Sequence, residues 1–148
     1  MAGKPEVEEI LNHFADAMSK LFLEQFQQQI AELDLTLLQA QVLRILRRGP
    51  LPTGQLASEL RISAPAITQL TDRLIRKGLI ERQAASLDRR CVLVALSARG
   101  KRLVDQFRKR RSEAFSGALA SLSRTEQSEV IEALKKIIAA LERNEGLR

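Results

Sequence analysis

The chain has no tryptophan and no tyrosine, only one cysteine and only one histidine in 148 residues. Modules that take up single strands or RNA loops usually stack bases on aromatic rings. Five phenylalanines are the whole aromatic complement here, which argues against base stacking as a mode of binding. A lone Cys91 excludes an intramolecular disulfide and fits a reducing cytoplasm. With His13 as the single histidine, the convergent ligands of a zinc site are missing. No apolar run approaches the roughly 20 residues of a membrane span. The opening MAGKPEVEEI is acidic and lacks the basic and apolar regions of a signal peptide. Nucleophile–base constellations, phosphate-cradling glycine loops and paired Cys/His sets are likewise missing. The expectation is a cytoplasmic, non-enzymatic protein without metal or cofactor and without a membrane partner.

What the chain does have is a lopsided charge map. The net charge is +6. Residues 44–111 hold 17 Lys and Arg against 5 Asp and Glu, a net +12, while the remainder holds 7 against 13, a net −6. A cationic middle between acidic ends is the footprint of a polyanion-binding centre on a helical frame.

The length suits one domain, 1–148, with a core that needs no staples. Val7, Ile10, Leu11, Phe14, Met18, Leu21, Phe22 and Phe26 recur at helical spacing and predict an amphipathic helix over about 6–31. Thr36 with Gln39 forms a capping box for a second helix, with Leu38, Val42, Leu43 and Leu46 inward and Gly49-Pro50 as its stop. Thr53 is expected to cap a third helix and Ser63 a fourth; Pro65 is tolerated in the first turn, where backbone N–H groups lack partners anyway. Gly78 supplies the left-handed cap. Two β-type runs, 79–83 and 91–96, follow, with Val92, Val94 and Leu96 alternating as in a half-buried strand. Ser97 opens a long helix, and Ser123-Arg124-Thr125-Glu126 is a second capping box before the last one. The predicted order is α-α-(short strand)-α-α-β-β-α-α.

Residues 53–100 thus read as helix, turn, helix and a hairpin with a basic tip, an arrangement that suits duplex DNA. On the fourth helix Ile67, Leu70 and Leu74 face the core. Ser63, Pro65, Ala66, Thr68, Gln69, Arg73 and Arg76 remain as the DNA-facing set. Gln69 matches adenine N6/N7, and Pro65, Ala66 or the Thr68 methyl can meet thymine methyls; Arg73 and Arg76 suit phosphates. At the hairpin tip an arginine of Asp88-Arg89-Arg90 can enter a narrow minor groove, with Asp88 orienting the cation. The bland alternative for each is a solvated charged surface, and Arg108-Lys109-Arg110-Arg111 is read that way. Cys91 is read as a quiet thiol. The terminal helices are too apolar for one chain to hide; Val7, Ile10, Leu11, Phe14, Val130, Leu134, Ile137 and Leu141 are expected to pack between two copies.

These residues also resemble a known family. Leu35-Thr36-x-x-Gln39-x-x-Val42-Leu43, Gln55-Leu56-Ala57 through Leu60-x-Ile62-Ser63 and Ile67-Thr68 are similar to the second helix and helix-turn-helix of MarR-family transcriptional regulators. Asp72-Arg73-Leu74, Gly78-Leu79-Ile80-x-Arg82, Asp88-x-Arg90, Val94-x-Leu96-Ser97 and Gly100 resemble the passage into the wing and the wing itself. The resemblance spans about 33–127. It implies a mainly α fold with a small β-wing, a winged helix-turn-helix over 34–100 and dimerisation helices over 1–33 and 101–148. It also implies a homodimeric DNA-binding regulator, most often a repressor, with Arg90 as the minor-groove residue. An effector pocket for small aromatic or carboxylate compounds is implied between the dimer helices and the winged region. Pro65 and Ala66 stand where such proteins often have Ser or Thr, Gln69 where a basic residue is frequent, and Arg61 where the turn glycine is usual. The competing readings are a winged helix serving as a protein-interaction scaffold, which has no need of the concentrated positive charge, and a structural-RNA binder.

Overall fold

The computed structural model describes residues 3–84 and 92–145. Its elements are α1 (Lys4–Leu33), α2 (Leu37–Leu46), β1 (Leu51–Pro52), α3 (Thr53–Leu60), α4 (Ala64–Arg76), β2 (Ile80–Ala84), β3 (Val92–Leu96), α5 (Ala98–Leu119) and α6 (Arg124–Glu145). Type and order agree with the sequence expectation. The chain divides into two compact units, Met1–Arg110 and Arg111–Arg148, so α5 runs from one into the other.

In the first unit α2, α3, α4 and the start of α5 pack around a small antiparallel sheet of order β1-β3-β2. Leu51 pairs with Val94 and Pro52 with Leu93 on one side of β3; Ile80 pairs with Leu96 and Arg82 with Val94 on the other. Val42, Leu43, Leu56, Ile67, Leu74, Leu79 and Val94 are fully enclosed. Each such side chain contributes about 1.5–3 kcal/mol on leaving water, which is what holds three short helices and the start of α5 in place.

Local chemistry sets the helix ends. Thr36 Oγ1 accepts from the Gln39 N–H (3.2 Å) while Gln39 Oε1 accepts from the Thr36 N–H (2.9 Å). Beyond α4, Gly78 takes φ 70, its N–H donates to Ile75 O and the Leu79 N–H to Leu74 O. This paired pattern satisfies carbonyls that a helix end leaves open.

Three expectations need correction. Thr53 is the first residue of α3 and not its cap: the cap position belongs to Pro52, and no side-chain cap bond forms there. Pairing with Leu93 already makes Pro52 extended, so the strand places the helix start one residue early. Leu38 is 41% exposed, and Gln39 takes the inward position at 3%. The capping box satisfies the Gln39 side-chain oxygen, so burial there leaves it with a partner. Val92 is exposed, whereas Val94, Ala95 and Leu96 are all buried. The far end of β3 is therefore enclosed on both faces, and simple alternation fails.

In the second unit Ser123 Oγ accepts from the Glu126 N–H (3.3 Å) and Glu126 Oε2 from the Ser123 N–H (2.8 Å), closing the second capping box. These bonds, the side-chain one first, hold the Glu126 carboxyl below its ordinary range. Along α6, Val130 and Leu134 are half-buried, while Ile137, Ile138 and Leu141 are exposed.

Candidate nucleic-acid interface

The turn between α3 and α4 uses an unusual residue. Arg61 adopts left-handed geometry (φ 54, ψ 44), its N–H donating to Ser58 O and the Ile62 N–H to Ala57 O. Ser63 then caps α4, its Oγ accepting from the Ala66 N–H at 3.2 Å, with Pro65 in the first turn.

Helical periodicity sorts α4 into two sides. Ile67, Thr71 and Leu74 are buried, and Leu70 is half-buried against the core. Pro65, Gln69, Asp72 and Arg76 follow one another along the opposite line; Ala66 and Arg73 lie on one flank and Thr68 on the other. Ser63, Pro65, Ala66, Thr68, Gln69, Arg73 and Arg76 are all exposed, so the structure brings the helix part of the expected set to one surface. Thr68 donates its hydroxyl to Ala64 O at 2.9 Å. The Thr71 hydroxyl likewise donates to Ile67 O, which lets a polar residue be buried in the core. Asp88, Arg89, Arg90 and Cys91 lie outside the described residues.

Two charged contacts at this surface were not foreseen. Asp72, on the outward line of α4, accepts from Arg82 of β2, which ties the helix to the first wing strand. The signal was faint: the sequence marks Arg82 in the run Gly78-Leu79-Ile80-x-Arg82, with nothing there to pair it with Asp72. Lys77, at the end of α4, donates to the carbonyls of Leu33 and Asp34. Around the same junction Ser97 Oγ donates to Gly78 O (2.6 Å) and accepts from the Gly100 N–H, and Arg99 donates to Lys77 O (2.8 Å).

The MarR-family model matches residues 33–90. The multiple antibiotic resistance protein MarR of Salmonella typhimurium is 32% identical over 111 residues, which cover 74% of this chain and 77% of that protein. The chain belongs to the MarR family. A second relative by sequence is the HTH-type transcriptional regulator YpoP of Bacillus subtilis, 28% identical over 110 residues, or 74% of this chain and 78% of that protein. The crystal structure of an S. aureus MepR–DNA complex superposes with a TM-score of 0.70 at 24% identity, covering 88% of this chain and 98% of that one. The fold is accordingly a winged helix-turn-helix flanked by long terminal helices, and the protein is a transcriptional regulator of the MarR type. No helix among the described residues is long and apolar enough to cross a membrane, and no cluster of three metal-ligating side chains occurs among them.

Proposed function

We propose that this MarR-family protein is a cytoplasmic homodimer that binds an inverted repeat in duplex DNA and represses transcription until a small molecule releases it. The observation that carries the reading is the outward face of α4. Gln69 stands opposite the core in the first half of the helix, with Pro65, Ala66 and Thr68 around it and Arg73 and Arg76 towards the end. A helix enters the major groove with its N-terminal residues at the base edges. Gln69 then pairs with adenine, and the apolar neighbours meet thymine methyls. Arg73 and Arg76 hold phosphates, which supply affinity and register. In the wing, Arg90 enters the minor groove, Asp88 orients it and Arg89 adds to the local charge. A protein of the same fold, S. aureus MepR, crystallised with DNA supports DNA as the partner.

The division into a winged helix-turn-helix over 34–100 and dimerisation helices over 1–33 and 101–148 belongs to the same proposal. Val7, Ile10, Leu11, Phe14, Ile137 and Leu141 are between 43% and 61% exposed on the single chain. Exposed apolar stripes of this kind mark protein contacts. Val130 and Leu134, half-buried already, join the last helix's stripe. For the effector, a cleft of about 360 Å³ beside the end of α1 is lined by Leu33, Leu79 and Leu103, by Arg99, Arg102 and Arg110, and by Glu32 and Gln106. Three leucines beside three guanidinium groups and one carboxylate leave a net positive cleft, which suits a small aromatic carboxylate.

Selection of bound duplexes from a random pool, with structured RNA and single strands as competitors, tests the reading. The expected product is an inverted repeat with half-sites about one helical turn, or roughly 10 bp, apart. Gln69→Ala should cost about 1–3 kcal/mol at the cognate site and relax one position in each half-site. Recovery of no common sequence, or preference for RNA, would overturn it. A monomer at micromolar concentration by sedimentation would overturn the dimer.

A further inference from the structure

We infer that Lys77 is a positioning residue: it fixes the angle between α1 and the reading helix α4, and so sets which half-site spacing the dimer accepts. This rests on the operator reading above. Lys77 is the C-cap of α4, yet its ammonium reaches an element 44 residues back in the chain. It donates to Leu33 O at 2.9 Å and to Asp34 O. These are carbonyls at the end of α1, which the helix itself leaves without N–H partners, at the negative end of its dipole. Asp34 has φ 50, a sharp turn that brings both carbonyls to one cation. The Asp34 carboxylate, 3.8 Å away and fully exposed, adds little. The backbone of Lys77 is held from the other side, where Arg99 of α5 donates to its carbonyl.

The contact matters because the described part of α1 buries little of its own surface. Among its described side chains, only Met18, Leu21, Gln25 and Leu33 are even half-buried. Leu33 packs on the core, but apolar contact is non-directional. The two bonds from Lys77 are charge-assisted and directional, so they choose the angle. Gln69 lies eight residues from this anchor, about 12 Å along the helix. In a dimer joined through α1, a swing at Lys77 becomes a displacement of one reading helix relative to the other. One inserted base pair shifts a half-site by about 3.4 Å and rotates it by roughly 34°. A loosened anchor lets the second helix follow that shift.

The test compares the full-length protein with Lys77→Met, which keeps the stem and loses the donors, and Lys77→Arg, which keeps donors and charge. In a Cys91→Ser background, spin labels at Glu24→Cys and Ser58→Cys report the orientation of α1 on its own chain when labelled protein is diluted with unlabelled. A single narrow distance distribution is expected for wild type and Lys77→Arg, and a broad one for Lys77→Met. An unchanged width in Lys77→Met overturns the anchor whether or not the protein binds DNA. In parallel, affinity is measured for the selected operator and for versions with one base pair added or removed between half-sites. Lys77→Met should reduce the wild-type discrimination between spacings by roughly tenfold or more, with Lys77→Arg restoring it. Equal loss of affinity on every duplex would make Lys77 a phosphate contact and overturn the proposal. A wild-type protein indifferent to spacing would overturn the operator reading itself, and the role of Lys77 in specificity with it, while the distance measurement would still decide the anchor.

Discussion

The carbonyl oxygen of Leu79 lies 2.0 Å from the point where a β-carbon on Gly100 would stand, with Leu96 Cδ2 at 3.3 Å. The first turn of α5 therefore sits directly on the backbone that leads into β2, and the Leu79 carbonyl is already engaged by the Ser97 N–H at 3.0 Å. Leu96 could turn aside, but the closer atoms belong to the Leu79 backbone, which cannot swing away. Gly100→Ala should destabilise the protein by at least about 3 kcal/mol, the upper range for forcing atoms into a packed interior. Urea unfolding followed by circular dichroism measures it; an unchanged midpoint would mean that α5 can retreat without loss.

The Asp72–Arg82 pair predicts a split between stability and binding. Both side chains are substantially exposed, 39% and 57% respectively, so Arg82→Ala should cost less than about 1 kcal/mol of folding stability. On the outward line of α4, however, it leaves a bare carboxylate facing phosphates. Operator affinity should fall by about 1 kcal/mol more than stability does. Adding Asp72→Asn to Arg82→Ala should recover most of it. If the double variant binds as poorly as Arg82→Ala alone, Arg82 touches DNA itself.

Acid should loosen the start of α6. The carboxyl of Glu126 is held below its ordinary range by its bonds to Ser123, so the folded state favours the ionised form. That contribution is fully present above the ordinary carboxylate range and disappears as pH falls through the lowered folded value. Glu126→Gln keeps an acceptor for the Ser123 N–H but cannot titrate. Wild type should melt higher than Glu126→Gln at neutral pH, and the gap should close in acid. A gap that is the same at both ends of a pH series of thermal melts contradicts this.

Arg61 offers a test of the turn. A non-glycine residue in left-handed geometry costs about 1 kcal/mol or somewhat more. Arg61→Gly removes that strain but adds freedom to the unfolded chain, so the two effects should nearly cancel, to within about 1 kcal/mol. A β-branched side chain suits this region worst. Arg61→Val should therefore be clearly less stable than either. Equal denaturation midpoints for Gly and Val would contradict the left-handed turn.

What was legible in the sequence was local. The Thr36–Gln39 and Ser123–Glu126 boxes and the Ser63 cap each bond across three residues, so residue types and spacing were enough to find them. The outward set on α4 followed from periodicity alone, because three apolar positions point it at one core. Thr53, Leu38 and Val92 were misplaced because their surroundings come from elsewhere in the chain: from strand pairing, from where the core ends, and from enclosure of β3 on two sides. The contacts of Lys77 and Arg82 escaped notice for a related reason. As letters, each is one more cation among many; only tertiary structure supplies the carbonyls and the carboxylate that make them specific.

The two-residue strand β1 has a consequence for how such a molecule can be rebuilt. Because Leu51 and Pro52 pair with Val94 and Leu93, α3, α4 and β2 are enclosed between the ends of one closed loop. A peptide cut after Arg76 would lack the partner of its own first strand, together with Leu79 and Val94, which share the core with Ile67 and Leu74 of α4. The helix-turn-helix is thus not a cassette. Transplanting a new DNA preference into this frame means exchanging the exposed side chains of α4 one at a time, or moving the whole stretch 51–96 together, since any shorter graft gives up the loop closure without regaining its contacts.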